Sequence, residues 1–175
     1  MGTSYKYFKK DVRNYIIDNF KDDIEILDVG SGEGTYYELL KDYFANIDGV
    51  EVYAPNIEKY ELEKKYRHIY NKDIREFKYK RYDLVIFGDI LEHLETEEAQ
   101  RVLEYAREHS LEIIVAVPYM YEQGEVGGNK YEIHKQADLT PEKVQERYPY
   151  LELLYGNEEY GYYVCKNKLT KRGRK

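Results

Sequence analysis

The sequence predicts an α/β domain: a doubly wound, mostly parallel sheet with helices on both faces and an antiparallel strand near its carboxyl end. Three observations predict it. Short apolar runs alternate with segments of helical periodicity from Ile24 to Val117. The first apolar run breaks into three glycines, Gly30, Gly32 and Gly34. The chain closes on two strand-like runs joined by Gly156-Asn157-Glu158-Glu159, which reads as a hairpin connection.

The elements follow in order. Tyr5 to Phe20 sets Phe8, Val12, Tyr15, Ile16 and Asn19 at helical spacing ahead of the core. Ile24 to Val29 is a short buried strand, Thr35 to Phe44 a helix with Tyr36, Leu39, Leu40 and Tyr43 on one face, and Ile47 to Val52 a second strand. A helix opens after Pro55 and runs from about Asn56 to Tyr66. Strands follow at His68 to Tyr70 and Tyr82 to Phe87, then a helix from Thr96 to His109, with Thr96 as its cap and Glu97 and Glu98 in its first turn. Leu111 to Val117 is the strongest strand, broken by Pro118. The segment from Tyr119 to Asp138 is too long for a mere connection and reads as a lid or substrate loop. Thr140-Pro141-Glu142 opens a short helix, and Tyr150 to Tyr155 and Tyr160 to Lys166 are the last strands. Such crossovers are right-handed, and ligands of such sheets sit outside the carboxyl ends of the strands.

Composition narrows the function. The 175 residues carry a formal charge of −7, which argues against broad contact with a phosphate backbone; only the basic tail, 167–175, runs the other way. No apolar run is long enough to span a membrane, and the first ten residues lack the apolar stretch of a signal peptide, so a cytoplasmic protein is expected. The single cysteine, Cys165, excludes an intrachain disulfide. Tyrosine supplies 22 residues; without them roughly 30% of the chain is apolar, so tyrosine rings have to serve as core bulk with their hydroxyls at the boundary. No repeat or linker divides residues 1–166, which read as one domain.

Four motifs fall at strand ends. Asp28-Val29-Gly30-Ser31-Gly32-Glu33-Gly34 lets a ligand approach main-chain N–H groups, and its Gly-x-Gly-x-Gly spacing differs from the Gly-x-Gly-x-x-Gly of dinucleotide sites. Glu51, 21 residues after Gly30, is placed to accept both hydroxyls of a ribose. Asp73 and Ile74 follow the third strand, where they suit an adenine amino group and ring face. Gly88-Asp89-Ile90-Leu91-Glu92-His93-Leu94 closes the fourth strand.

Together these motifs resemble the class I S-adenosylmethionine-dependent methyltransferases from Ile24 to Pro118, with the closing hairpin extending the match to about residue 166. The resemblance implies a Rossmann-like, seven-stranded sheet whose last strand is antiparallel. It implies S-adenosylmethionine as cofactor, with S-adenosylhomocysteine as product, laid across Asp28, Gly30, Ser31, Gly32, Glu51, Asp73, Ile74 and Asp89.

Methyl transfer from a sulfonium needs alignment and exclusion of water more than acid catalysis, and a hydroxyl acceptor gains from a general base. His93 and His134 compete for that role. His134 lies on the long loop beside Gly127 and Gly128, expected to give mobility, and two residues from Glu132, expected to hold its ring. Tyr5, Tyr7, Tyr36 and Tyr119 are candidates to face the sulfonium, and Tyr121 and Tyr131 lie in the expected lid. A metal held by Asp89, His93, Glu132 and His134 is set aside, because no pair has ligand spacing within a single element.

The turn Gly88-Asp89-Ile90 is not the Asn/Asp-Pro-Pro-aromatic turn of DNA amino-methyltransferases, and Cys165 in the last strand is no cytosine nucleophile. The favoured reading is therefore O-methylation of a small molecule, with neither nucleic acid nor membrane as partner. The alternatives are a non-catalytic cofactor-binding or interaction protein on the same fold and a nucleotide- or NAD-binding enzyme.

Overall fold

The computed structural model describes residues 6–167, so Tyr5 and the basic tail beyond Asn167 lie outside the described residues. The strands are β1 (Ile26–Val29), β2 (Ile47–Glu51), β3 (His68–Asn71), β4 (Tyr82–Gly88), β5 (Ser110–Pro118), β6 (Glu152–Gly156) and β7 (Tyr160–Lys166). The helices are α1 (Lys9–Asn19), α2 (Thr35–Leu40), α3 (Ala54–Lys59), α4 (Leu62–Lys65), α5 (Thr96–His109) and α6 (Pro141–Arg147). All seven strands join one sheet in the order β3-β2-β1-β4-β5-β7-β6. The first five are parallel, and β7 inserts antiparallel between β5 and β6.

Alternation along the central strands builds two cores. Val85 and Phe87 of β4 and Ile113, Val115 and Val117 of β5 pack beneath α5 and α6, through Ala99, Val102, Leu103, Ala106 and Val144. Leu84, Ile86, Ile114 and Ala116 point to the other face, toward Val12 and Ile16 of α1 and Leu40 of α2. Both faces are covered, which is why these strands read as continuous apolar runs rather than alternating ones. The winding reverses at β1, between β2 and β4, and opens a cleft at the carboxyl ends of those strands.

Three local expectations are corrected. The helix expected over Asn56 to Tyr66 is two, because Glu61 turns left-handed at φ 51° and the redirected chain buries Leu62 completely. The cap of α5 is Glu95 rather than Thr96: the Glu95 carboxylate accepts the third helical N–H while Glu98 accepts the Glu95 N–H, a reciprocal capping box. Thr96 instead donates to the Gln136 side chain at 3.3 Å. Tyrosine hydroxyls are not confined to the boundary. Tyr66 donates to Asp28, Tyr82 to Asp48 and Tyr148 to Gln136, while Tyr36 pairs with Tyr162 and Tyr119 with Tyr163, all inside the protein. A polyphenolic core is affordable because each such hydroxyl replaces water with an internal partner.

Candidate functional site

The site begins where β1 stops. Gly30 and Ser31 donate their N–H groups to the Val50 carbonyl at 2.8 and 3.1 Å, bending the chain toward β2. Gly30 has φ +69°, and a Cβ there would lie 1.9 Å from Ile90 Cδ1, so this turn accepts only glycine. A Cβ on Gly32 would meet nothing nearer than the Gly30 carbonyl at 3.7 Å, so this part of the turn faces open space, as close approach of a ligand requires.

Glu51 closes the turn from β2. One carboxylate oxygen accepts the Gly32 N–H and the other the Tyr53 N–H, each at 2.8 Å. Burial pushes this carboxyl upward while those two N–H donors pull it down. Each oxygen keeps a lone pair for a ligand hydroxyl. Beside it, Asp73 and Ile74 line a hollow of about 480 Å³ at the β3 end, together with Val52, Ile90 and Leu94. Asp73 is gripped by Arg75 at 2.6 and 2.9 Å, and Arg75 reaches Glu98 of α5 at 2.9 Å. Asp28, by contrast, lies beneath the glycine turn and lines neither hollow. Its Oδ2 accepts the Tyr66 hydroxyl at 2.5 Å, its Oδ1 is buried without a partner, and burial raises its pKa to about 7.

A second hollow, of about 190 Å³, is bounded by Gly30, Ser31, Gly32, Glu51, Asp89, His93 and His134. Asp89 stands at the end of β4 with φ +58°, a strained conformation that the Ala116 carbonyl and the Tyr160 hydroxyl hold through bonds of 3.0 and 2.5 Å. His93 follows in a single helical turn, Leu91–His93. Burial, and the neighbouring His134, bring the His93 pKa down to about 4.

The long loop lies across this cleft. Lys135 and Gln136 donate main-chain N–H groups to the Glu92 carbonyl at 2.6 and 3.0 Å, and the buried Gln136 amide donates to Leu91 and Leu94. Those bonds deliver His134 to His93. Of the roles expected for its neighbours, only that of Glu132 is corrected. Gly127 and Gly128, at φ +57° and +82°, form a tight turn closed by a bridge between Val126 and Asn129, so they shape the loop. Glu132 does not hold the His134 ring; its carboxylate is engaged by Asn129 and Gln123, and the Tyr121 carbonyl takes His134 Nδ1 at 2.7 Å. Burial lowers the His134 pKa as well.

Of the tyrosines proposed to face a sulfonium, Tyr36 lines the cleft, with the Lys9 ammonium already over its ring at 4.3 Å. Tyr7 bonds to Glu159 and Tyr119 to Tyr163, and neither lines the cleft; Tyr121 and Tyr131 of the loop do. Sequence reasoning missed Lys9 and Glu92. Lys9 sits one turn before Val12 on the inward face of α1, a periodic signal that was readable; Glu92 was quoted only as part of its motif.

A sheet of this order, with a glycine turn after β1 and an acid at the end of β2, is the Rossmann-like fold of the methyltransferase type. A methyltransferase-domain family profile matches residues 1–110, and the chain belongs to that family. Solved structures agree in fold. Magnesium protoporphyrin IX methyltransferase from Synechocystis PCC 6803, with bound SAM, is 14% identical at a TM-score of 0.67, covering 91% of this chain and 78% of its own. An S-adenosylmethionine-dependent methyltransferase from Clostridium acetobutylicum is 13% identical at 0.71, covering 95% and 93%. The DhpI–SAH complex is 14% identical at 0.72, covering 91% and 82%. A search of curated protein sequences gives no match. In family and fold the chain is an S-adenosylmethionine-dependent methyltransferase.

Proposed function

We propose that the protein transfers a methyl group from S-adenosylmethionine to a hydroxyl of a small molecule. The observation that carries this reading is the opposition, across one cleft, of the Gly30–Glu51 cradle and the paired histidines His93 and His134. Ile74 and Asp73 would hold the adenine ring and its amino group, Glu51 the ribose hydroxyls, and the main-chain groups of Gly30, Ser31 and Gly32 with Asp89 the methionine portion. The bound cofactor supplies an electrophilic methyl group on a positively charged sulfur. Acidic side chains at Glu51 and Asp89, which line the cleft, favour that charge without touching the reacting carbon.

His134 is the preferred base over His93. A carbonyl oxygen only accepts, so Nδ1 of His134 carries the proton and Nε2 keeps a lone pair. The loop that carries it covers the cleft and keeps water from the sulfonium. Residues 1–166 form the catalytic domain and 167–175 a basic extension. The −7 charge supports a small acceptor over nucleic acid, and no helix among the described residues is long and apolar enough to cross a membrane, which fits a cytoplasmic enzyme.

Calorimetry with S-adenosylmethionine is the first test. Binding that is abolished by Gly32→Arg supports the cradle; absence of binding to the purified chain refutes the reading. Incubation of metabolite extracts with methyl-labelled cofactor then identifies the acceptor, and transfer to nitrogen or carbon instead of oxygen overturns the O-methylation assignment.

A further inference from the structure

Glu92, His93 and His134 form a cluster that neither the cradle nor the base explains. One ligand atom from each lies within 4.8 Å of the others. Ligand atoms about 2.1 Å from a tetrahedral ion are about 3.4 Å apart, so atoms as much as 4.8 Å apart close on an ion when each moves inward by up to about 0.8 Å, within reach of side-chain rotation. Glu92 is 1% exposed, yet its Oε2 has no hydrogen-bond partner, and His93 Nδ1 is likewise shielded and unpartnered. A buried carboxylate oxygen left without a donor costs free energy that a cation recovers.

The surroundings suit an ion. Asp89 and Glu132 add negative potential around Glu92. His134 is oriented from behind by the Tyr121 carbonyl, the outer contact that fixes a ligating imidazole with its Nε2 forward. Main-chain bonds from Lys135 and Gln136 to the Glu92 carbonyl hold the loop ligand in register with the other two. The three ligands need no ligand spacing within a single element, since the loop brings His134 to Glu92 and His93 through space.

We propose that Glu92, His93 and His134 bind one divalent transition-metal ion at the acceptor end of the cleft. Two imidazoles and a carboxylate suit manganese, iron, cobalt or zinc rather than an all-oxygen site for calcium or magnesium. Three protein ligands leave positions for water or an acceptor oxygen. What the ion does there rests on the O-methylation reading. A coordinated acceptor hydroxyl releases its proton to water, its oxygen attacks the methyl carbon, and the carbon–sulfur bond breaks with its electron pair staying on sulfur. The loaded ion then takes over the task assigned above to His134 as base.

The test uses the full chain, stripped with a chelator and titrated separately with Co²⁺, Zn²⁺ and Mn²⁺, without cofactor or acceptor. The expected result is one ion per chain for at least one metal, with visible cobalt bands of a histidine-containing site. Binding weakens at least tenfold in His134→Ala, a change on a loop that threatens folding little, and in Glu92→Gln. Absence of stoichiometric binding by any of the three ions, or wild-type affinity in both variants, overturns the proposal and leaves Glu92 as a protonated buried acid. S-adenosylhomocysteine titrated into the metal-free wild-type chain reports on the cofactor separately: ion binding without cofactor binding refutes the methyltransferase reading alone, and the reverse refutes the ion site alone.

Discussion

His134 stands edge-on to His93, with ring centroids 4.7 Å apart and planes at 73°, while its Nδ1 lies 2.7 Å from the Tyr121 carbonyl. A residue of the long loop and one of the short helical turn after β4, 41 positions apart, thus share one cleft. The carbonyl fixes the tautomer, because it has no proton to give. In the metal-free protein, long-range proton–nitrogen spectra are expected to show His134 as the Nδ1–H form, the less common tautomer of a free imidazole. An Nε2–H spectrum would contradict both the base and the ligand assignment.

Glu51 ties the two halves of the cradle together. In Glu51→Gln, one side-chain position becomes an NH₂ group that faces a main-chain N–H, either that of Gly32 or that of Tyr53. Donor then opposes donor, and under the proposed binding mode a ribose hydroxyl would lose a charged acceptor. Loss of one charge-assisted bond corresponds to roughly tenfold in affinity or more. Calorimetry should show S-adenosylhomocysteine binding reduced by that factor or beyond, with the folded-state circular dichroism unchanged.

Lys9 is a largely buried cation behind Tyr36, which lines the cleft, with its Nζ 3.1 Å from the Tyr36 hydroxyl. Burial lowers its pKa, and Asp89 and Asp28 oppose that shift. Its place suits the carboxylate of the methionine portion. Lys9→Met is expected to weaken S-adenosylhomocysteine binding about tenfold while leaving 5′-methylthioadenosine, which lacks that carboxylate, within a factor of two. Equal losses for both ligands would show that Lys9 serves only to pack α1.

Asp28 makes a pH-dependent contribution whose sign is set by its raised pKa. Burial is the main cause, opposed by the Tyr66 hydroxyl and the Lys9 charge, with Glu51 adding to the rise. The folded protein therefore holds a proton on Asp28 more tightly than the unfolded chain does. Its contribution is most favourable at pH below the ordinary aspartate value and is lost as pH rises toward about 7, above which it stays constant. Asp28→Asn removes that slope. Thermal unfolding of cofactor-free protein from pH 4 to 8 should show the variant gaining on the wild type as pH rises, by on the order of a few kcal/mol at most. A gap independent of pH would mean that Asp28 is ionised throughout.

Much of the fold was legible in the sequence. All seven strands, their order along the chain and the glycine turn follow from apolar runs of strand length punctuated by glycine, a signal set by burial on both sheet faces. Glu51, Asp73, Ile74 and Asp89 were legible because strand ends in such a sheet converge on one edge. The break at Glu61 and the cap at Glu95 were not, since each depends on what the redirected chain packs against. Tyr119 was misread for the same reason: periodicity cannot tell a ring facing the cleft from one that meets Tyr163 inside the core.

The sequence by itself thus determined the sheet, the cradle and the methyltransferase family, because these rest on local patterns repeated at strand ends. Tertiary structure decided which groups face one another. It alone put Lys9 over Tyr36, sank Asp28 beneath the turn and folded a twenty-residue loop so that His134 meets Glu92 and His93. That last meeting depends on main-chain bonds from Lys135 and Gln136 to a carbonyl more than forty residues away. A carbonyl acceptor leaves no trace in the side-chain alphabet, because every residue carries one.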